Sequence, residues 1–480
     1  MNKVSNIAKN TSYFTLALII QKVISFSYFI ILARYLVPAD LGKYYFAISF
    51  ASMFGILMDL GMANVLTREV ARRPDKIRQY LGATLALKLP LVLLAVILSL
   101  ILARPAVHSA LTLHLVYIAM LCVVLDSFSL TFFSVIRGLH NLFFESISSV
   151  AFQLIVLGLG FFFLKFGWSL VWVMGALAAA SIFNLLYSIF LVAVKWRIKI
   201  YPLFRLELIK NLIIITIPFS LFAVFNKLYS YLDTVLLNIL IGEKAVGLYQ
   251  IAFKMIFALQ FLPLAFVASL YPALSAYWQN NRQQLAITFE RAINYLLVIS
   301  LPISVGIIVL ADKIILLFRP EYAEAVGALR LIMAALPFIF LVYPVGSLLN
   351  ACDRQKTNTL IMGVVLVASV GLNLALIPRW GILGASFVVV LTNCLMLGLG
   401  IAAVKRLVKL RRAEMLKKTG GVLIAVATMG LAVWALKPYL NIFVIIPLGA
   451  LIYFPLLLVF GVVRLADFRS VASSFRVIKV

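Results

Sequence analysis

The chain alternates long apolar runs with short polar joins. Fourteen runs reach the ~20 residues that a helix needs to cross the hydrocarbon core of a bilayer. They predict helices over 12–32, 43–63, 82–103, 112–136, 146–165, 169–194, 212–241, 247–271, 286–310, 328–351, 358–378, 381–404, 418–436 and 442–463. This is the pattern of an all-α polytopic membrane protein. The joins at 165–169 and 378–381 are short enough for tight helical hairpins. No join exceeds roughly twenty residues, so no soluble catalytic domain fits between spans. The longest external segment, around Ala311 to Gly327, has room for a short surface helix.

Polar residues inside the apolar runs are not scattered evenly. Asn226, Ser230 and Asp233 fall at i, i+4 and i+7, so they share a helix face. Lys227, Tyr231, Thr234 and Asn238 form the adjoining stripe, and Gln250 and Lys254 share a face of the next span. In the first half, Thr11, Thr15, Lys22 and Ser25 line one face of the first helix, and Ser49, Ser52 and Asp59 one face of the second. Lys88 stands just before Leu89-Pro90; the fourth helix carries Asp126 and Ser129, and Gln153 and Asn184 lie on the fifth and sixth. A charged side chain at membrane depth costs about 2.5–3.5 kcal/mol on insertion scales. Such groups therefore face partners or water rather than lipid, and the stripes predict the walls of a wet cavity. Plainer roles compete with this one. Single Ser, Thr or Asn residues in a span serve as packing contacts. Lys88 is close enough to the surface to snorkel, Asp59 could cap its helix or pair with Arg68, and Asp233 could pair with Lys254.

The two halves repeat. Leu41-Gly42-Lys43-Tyr44 matches Val246-Gly247-Leu248-Tyr249, Lys88-Leu89-Pro90 lies opposite Ser300-Leu301-Pro302, Ser134 opposite Ser347, and Phe166-Gly167 opposite Trp380-Gly381. Six helices per half return the chain to its starting side, which relates the halves by an axis along the membrane normal. The helices with the densest polar stripes are the first two of each repeat. The organisation expected is two pseudo-symmetric six-helix bundles, 1–200 and 201–404. A third segment, 405–480, adds two C-terminal transmembrane helices, for 14 in total, and a tail. These last two helices carry few internal polar groups and are expected at the periphery.

Composition agrees: hydrophobic residues make up 64% of the chain, charged ones 12%, and mean hydropathy is +1.11. Soluble domains carry about a quarter charged residues. The net charge of +26 would suggest nucleic acid in a soluble protein. Here it follows topology, because cytoplasmic loops collect Lys and Arg. With the N-terminus inside, 28 of the 42 Lys and Arg fall in cytoplasmic segments, from Lys3 and Lys9 to Lys409, Arg464, Arg469, Arg476 and Lys479, against ten outside. Both ends are thus expected in the cytoplasm, and nucleic acid is not an expected partner. The first helix follows a short polar lead without a small-residue cleavage site and reads as uncleaved. Cys122, Cys352 and Cys394 suggest neither a metal site nor a disulfide framework, and His108, His114 and His140 form no catalytic arrangement. Pro90, Pro218, Pro263, Pro302, Pro337 and Pro344 mark kinks.

The segments NTSYF, LARYLVPADLGKYYFAISF and DLGMANVLTREVAR in the first half carry a resemblance, as do YSYLDTVLLNILIGEKAVGLYQIAFK, LPLAFVASLYPALSAYW, SLLNACDRQKTNT and LNLALIPRWGILGASF in the second. In this order they resemble polysaccharide flippases of the O-antigen and teichoic-acid type, within the multidrug/oligosaccharidyl-lipid/polysaccharide exporter superfamily. The resemblance covers the first twelve predicted helices. It implies a MATE-like V of two bundles that alternates between inward- and outward-open states in the cell membrane. It implies a lipid-linked oligosaccharide as substrate, a polyprenyl (pyro)phosphate carrying sugars, turned from the inner to the outer leaflet. Basic cavity residues would hold the phosphates. Lys22, Lys227 and Lys254 suit that role, Arg34 occupies the LAR position, and Lys88 and Asn226 complete the candidate set. Asp233 matches an acidic position in the seventh helix of many members. With Asp59 it is a candidate for coupling to H+ or Na+, and no other cofactor is implied. Membrane lipid surrounds the site, and a polysaccharide polymerase and glycosyltransferases are the partners expected. The pair of extra C-terminal helices occurs in some members only.

Two other readings weigh less. A drug or small-cation exporter of the same fold would favour acidic groups, whereas the spans hold Lys22, Lys88, Lys227 and Lys254 against Asp59, Asp126 and Asp233. A membrane enzyme would need large external loops or acidic and histidine clusters at one surface, and the chain has neither.

Overall fold

In a computed structural model, the structure describes residues 3–107, 109–408 and 410–462, without the side chains of 3–12, 211, 215, 217–219 and 412. The Lys3, Lys9, Thr11 and Pro218 side chains therefore lie outside the described set, as do His108, Lys409, Arg464, Arg469, Arg476 and Lys479. The helices are α1 (Lys3–Tyr35), α2 (Pro38–Asp59), α3 (Met62–Arg72), α4 (Ile77–Ala106), α5 (Ala110–Gly138), α6 (Phe143–Lys165), α7 (Leu170–Phe190) and α8 (Leu206–Leu240). There follow α9 (Glu243–Leu259), α10 (Phe261–Asn280), α11 (Arg282–Ile315), α12 (Ala325–Ala334), α13 (Leu336–Ala351), α14 (Gln355–Val404), α15 (Arg412–Leu436) and α16 (Ile442–Val459).

Twelve helical stretches among the described residues are long and apolar enough to cross a membrane. One of them, α14, contains 50 residues and bends at Gly381, whose φ of 55° and ψ of −129° suit only a residue without a Cβ. The helix α8 adds a further 35 residues. The described chain is thus an all-helical, multi-pass membrane protein, and its helices accommodate the fourteen expected spans.

Three spans read as continuous are broken, each for a local reason. The second stops at Asp59: Leu60 and Gly61 take positive φ of 44° and 80°, and α3 starts at Met62. Leucine rarely adopts such a backbone, but the Leu60 N–H still closes the last turn on Ile56 O, at 3.0 Å. The helix that follows is amphipathic, burying Met62, Val65, Leu66 and Val70 and exposing Asn64 and Arg72. The break between α9 and α10 at Gln260 precedes Pro263, which has no N–H to give to Leu259. Pro337 likewise stands at the start of α13, just after α12 ends.

The residues pack into two compact units. The first comprises the described part of 1–250 with Asn373–Ile382, the second Ile251–Leu372 with the described part of 383–480. In the first, α2 packs on α4, α5 and α8, α5 on α7, and α1 on α6. Leu66, Val70, Leu81, Val135 and Ile136 form part of its core. The segment after α7 is hooked onto α4: Leu203 N–H donates to Gly82 O at 2.9 Å, and Arg78 lies 4.6 Å from the centre of the Tyr201 ring. The repeat noted in the sequence has a physical counterpart in this unit. A Cβ on Gly42 would stand 1.8 Å from Glu243 O, and one on Gly247 1.8 Å from Pro38 O. Each glycine thus lies against the carbonyl four residues before the other, and only small residues let helix backbones come so close.

In the second unit α11 is the shared support, packing against α12, α13 and α15. One face of α15, with Ala425, Val426, Met429 and Val433, is buried, while Leu431 and Trp434 on the opposite face are exposed. The Tyr453 hydroxyl of α16 donates to Val298 O at 2.9 Å. Lys313 Nζ donates to Lys437 O and Leu440 O at 2.5 and 2.6 Å, and Lys437 Nζ returns to Asp312 Oδ1 at 2.5 Å.

Candidate functional site

A cavity of about 330 Å³ opens in the first unit between α2, α3, α5 and α8. Helical periodicity builds it. Ser52, Gly55, Ile56 and Asp59 share one face of α2, Val123, Asp126, Ser127 and Leu130 one face of α5, and Ser220, Ala223, Val224, Lys227 and Tyr231 one face of α8. Gly55 lets α2 and α5 approach each other, since a Cβ placed there would stand 2.6 Å from Val123 Cγ1, and the Lys227 ammonium lies beside it. Asn64, at the start of α3, completes the polar rim.

The charge on this lining is mixed. Lys227 faces the cavity together with two carboxylates, Asp59 and Asp126. Lys88 stands behind it, fully buried. Its Nζ donates to Ser127 O at 2.6 Å and to Thr131 Oγ1 at 2.8 Å, and it lies 3.7 Å from Asp59 Oδ1. Lys88 therefore points inward to α5 and Asp59 rather than outward to the membrane surface. Arg68, the other partner considered for Asp59, instead donates from Nε and Nη2 to Glu69 Oε1, at 3.1 and 2.9 Å. Removing one member of a buried ion pair typically costs about 3–5 kcal/mol, so Lys88 and Asp59 fix each other at the cavity wall.

The structure thus gathers Asp59, Lys88 and Lys227 around one cavity. The remaining candidates lie elsewhere. Lys22 is half-buried on α1, while Arg34, near the end of the same helix, and Asn226 are exposed. Lys254 belongs to the second unit, where its ammonium lies 5.7 Å from the Phe257 ring centre. Asp233 is buried and accepts hydrogen bonds from Tyr249 Oη at 3.0 Å and Asn373 Nδ2 at 2.7 Å. Its stripe neighbours are also engaged: Gln250 Nε2 donates to Thr234 Oγ1 at 2.9 Å, and Asn238 Nδ2 to Ala106 O at 3.0 Å. The cavity adds Asp126, Asn64 and Ser220 to the residues chosen from sequence. Asp126 was visible there as a charge within a span, but its convergence with Asp59 depends on how α5 is rotated, which spacing within one helix does not state.

Membrane-crossing helices enclosing a polar, charged cavity make this a membrane protein built like a transporter. The chain belongs to the polysaccharide biosynthesis protein family, whose profile matches residues 7–278. The profile described as MatE matches residues 218–378. Among curated proteins, the chain is 26% identical over 186 residues to the probable flippase AglR of Haloferax volcanii, a match covering 38% of this chain and 39% of that protein. The chain thus spans about two fifths of the length of that relative. It is 20% identical over 397 residues to the capsular polysaccharide biosynthesis protein CapF of Staphylococcus aureus, covering 80% of this chain and 96% of CapF. Among solved structures, the lipid II flippase MurJ in an inward closed conformation superposes with a TM-score of 0.78 at 15% identity, covering 96% of this chain and 99% of that one. The fold is therefore that of MurJ over nearly the whole length.

Proposed function

We propose that this protein is a flippase that moves a polyprenyl-(pyro)phosphate-linked oligosaccharide from the inner to the outer leaflet of the cell membrane, for cell-surface polysaccharide synthesis. The observation that carries the reading is the ammonium of Lys227 facing a polar cavity inside a MurJ-like fold. Coulomb attraction strengthens as the surroundings dry, so a lysine in a partly dry cavity is suited to a phosphate. Lys22, Arg34, Asn226 and Lys254 join it as binding residues at other stages of alternating access, and Lys88 acts by positioning Asp59. Asp59 and Asp233 are the sites for H+ or Na+ coupling. The two six-helix bundles, 1–200 and 201–404, carry out the motion, and 405–480 supports them. Both termini lie in the cytoplasm, where glycosyltransferases supply the cargo; a polymerase receives it outside.

Export of a drug or small cation is the second reading. The carboxylates of Asp59 and Asp126 in the cavity and the MatE profile over 218–378 favour it. Proteoliposomes separate the two. Flipping of a defined lipid-linked sugar, lost when Lys22, Lys227 and Lys254 are all changed to Ala in a folded protein, supports the flippase. Intact flipping in that variant refutes the phosphate-binding role of the three lysines, and transport of a cationic dye with no flipping by the wild type refutes the flippase.

A further inference from the structure

A second cavity, of about 300 Å³, lies in the second unit where α11 and α15 begin and α16 ends. Its wall is unusually charged for a membrane helix bundle. Glu290, Arg291, Asn294 and Tyr295 come from α11, and Arg411, Glu414 and Lys418 from the start of α15. Glu290 is buried, and the guanidinium of Arg411 reaches its Oε2 through Nε at 3.0 Å and Nη2 at 2.9 Å. The backbone N–H of Arg411 donates to Glu290 Oε1 at 2.6 Å. Arg411 Nη1 also reaches Glu414 Oε2 at 2.7 Å, and Lys418 Nζ reaches Glu414 Oε1 at 2.9 Å.

Arg411 and Lys418 thus answer the two carboxylates. The third cation on the wall, Arg291, is exposed, and among the described residues neither it nor Asn294 has a hydrogen-bond or ion-pair partner. The lining carries three cations against two carboxylates, with N–H donors to spare. Its depth is marked by α16: Val459 and Phe460, 78% and 39% exposed, immediately precede Gly461 and Val462, which line the cavity. Leu416 of α15, 73% exposed, directly follows Met415 of the lining. Here the lipid-facing apolar surface gives way to charge, which is where lipid headgroups sit.

We propose that this cavity binds the phosphate headgroup of an anionic membrane lipid. Basic pockets between transmembrane helices at the membrane boundary recognise such headgroups. Arg291 supplies a guanidinium fork whose donors match two phosphate oxygens. Lys418, shared with the partly exposed Glu414, turns toward the phosphate, and Asn294 and Tyr295 reach the headgroup hydroxyls. The lipid ties the start of α11 to the start of α15. Nothing in this site depends on the cavity of the first unit, so it can be tested apart from transport.

The test uses the full chain in nanodiscs of phosphatidylcholine with increasing phosphatidylglycerol, reading bound lipid by native mass spectrometry. The wild type should retain phosphatidylglycerol over phosphatidylcholine. Arg291→Gln should weaken that retention about tenfold, the loss of one charge-assisted contact. Glu414→Gln should strengthen it, because Lys418 is released. Neither variant should change the melting temperature in pure phosphatidylcholine, and millimolar glycerol phosphate should not displace the lipid. Equal retention by Arg291→Gln and the wild type, or displacement by glycerol phosphate, would overturn the proposal.

Discussion

Changing Gly42 to Ala puts the reciprocal contact between α2 and α9 under direct test. The added Cβ would stand 1.8 Å from Glu243 O and 2.7 Å from its carbon, where ordinary contact begins near 3.4 Å. The obstacle is backbone, so no side chain can swing aside, and the helices must part by about 1.6 Å. Overpacking of this kind costs about 1–3 kcal/mol. Helix propensity offsets about 0.5–1 kcal/mol of that, since Ala is favoured over Gly within a helix. Gly247→Ala meets the mirror obstacle, Pro38 O at 1.8 Å, and relieving one clash relieves the other. The two costs should therefore not add: the double variant should be little less stable than the worse single, a coupling of about 1–3 kcal/mol in a double-mutant cycle. Thermal unfolding of the purified protein in detergent measures this. Gly158→Ala, which meets nothing within 4 Å, should melt at or slightly above the wild-type temperature. A Gly42→Ala protein that melts like the wild type, or singles whose losses sum in the double, would refute the reasoning.

Three further outcomes are expected. Asp59→Asn should strand the fully buried Lys88 and lower stability by about 3–5 kcal/mol, whereas Asp59→Asn with Lys88→Met should recover much of it; melting curves of the singles and the double decide this. Lys227→Ala should reduce flipping of a lipid-linked sugar at least tenfold while Lys227→Arg keeps most of it, and equal activity of both would remove Lys227 from the site. Burial pushes the Cys352 thiol up to about 11, and only the thiolate reacts. In the folded protein Cys352 should stay unlabelled by maleimide at pH 7 and react once the protein is unfolded, as peptide mass spectrometry would show.

Much of the fold was legible because membrane insertion writes it into local sequence. Apolar length gave the spans, and Gly381 marked the turn within α14. The Gly42 and Gly247 repeat was legible too, although its meaning, each glycine against the other's carbonyl, needs two helices at once. The break after Asp59 was missed because Leu60 takes a backbone leucine seldom adopts, though Gly61 beside it was a usable signal. The cavity was harder. Lys88, Asp59 and Ser127 sit on three helices, and no periodicity within one of them reveals that they meet. The Asn226–Lys254 stripes were real faces, yet Asp233, Thr234, Asn238 and Gln250 spend their polarity on hydrogen bonds inside the protein. Polarity on a helix face therefore does not distinguish a solvated wall from a bonded seam.

The attachment of the last two helices to α11 has a consequence for biogenesis. Lys313 finds its carbonyl partners in residues 437 and 440, and Glu290 finds Arg411, each more than a hundred residues later in the chain. At about 5–20 residues per second, a ribosome reaches Lys437 roughly 6–25 s after Lys313. During that interval α11 must enter the bilayer with a lysine and a glutamate that lack their final partners. A newly made chain halted before residue 437 would leave α11 waiting, a substrate for whatever machinery shelters unassembled helices.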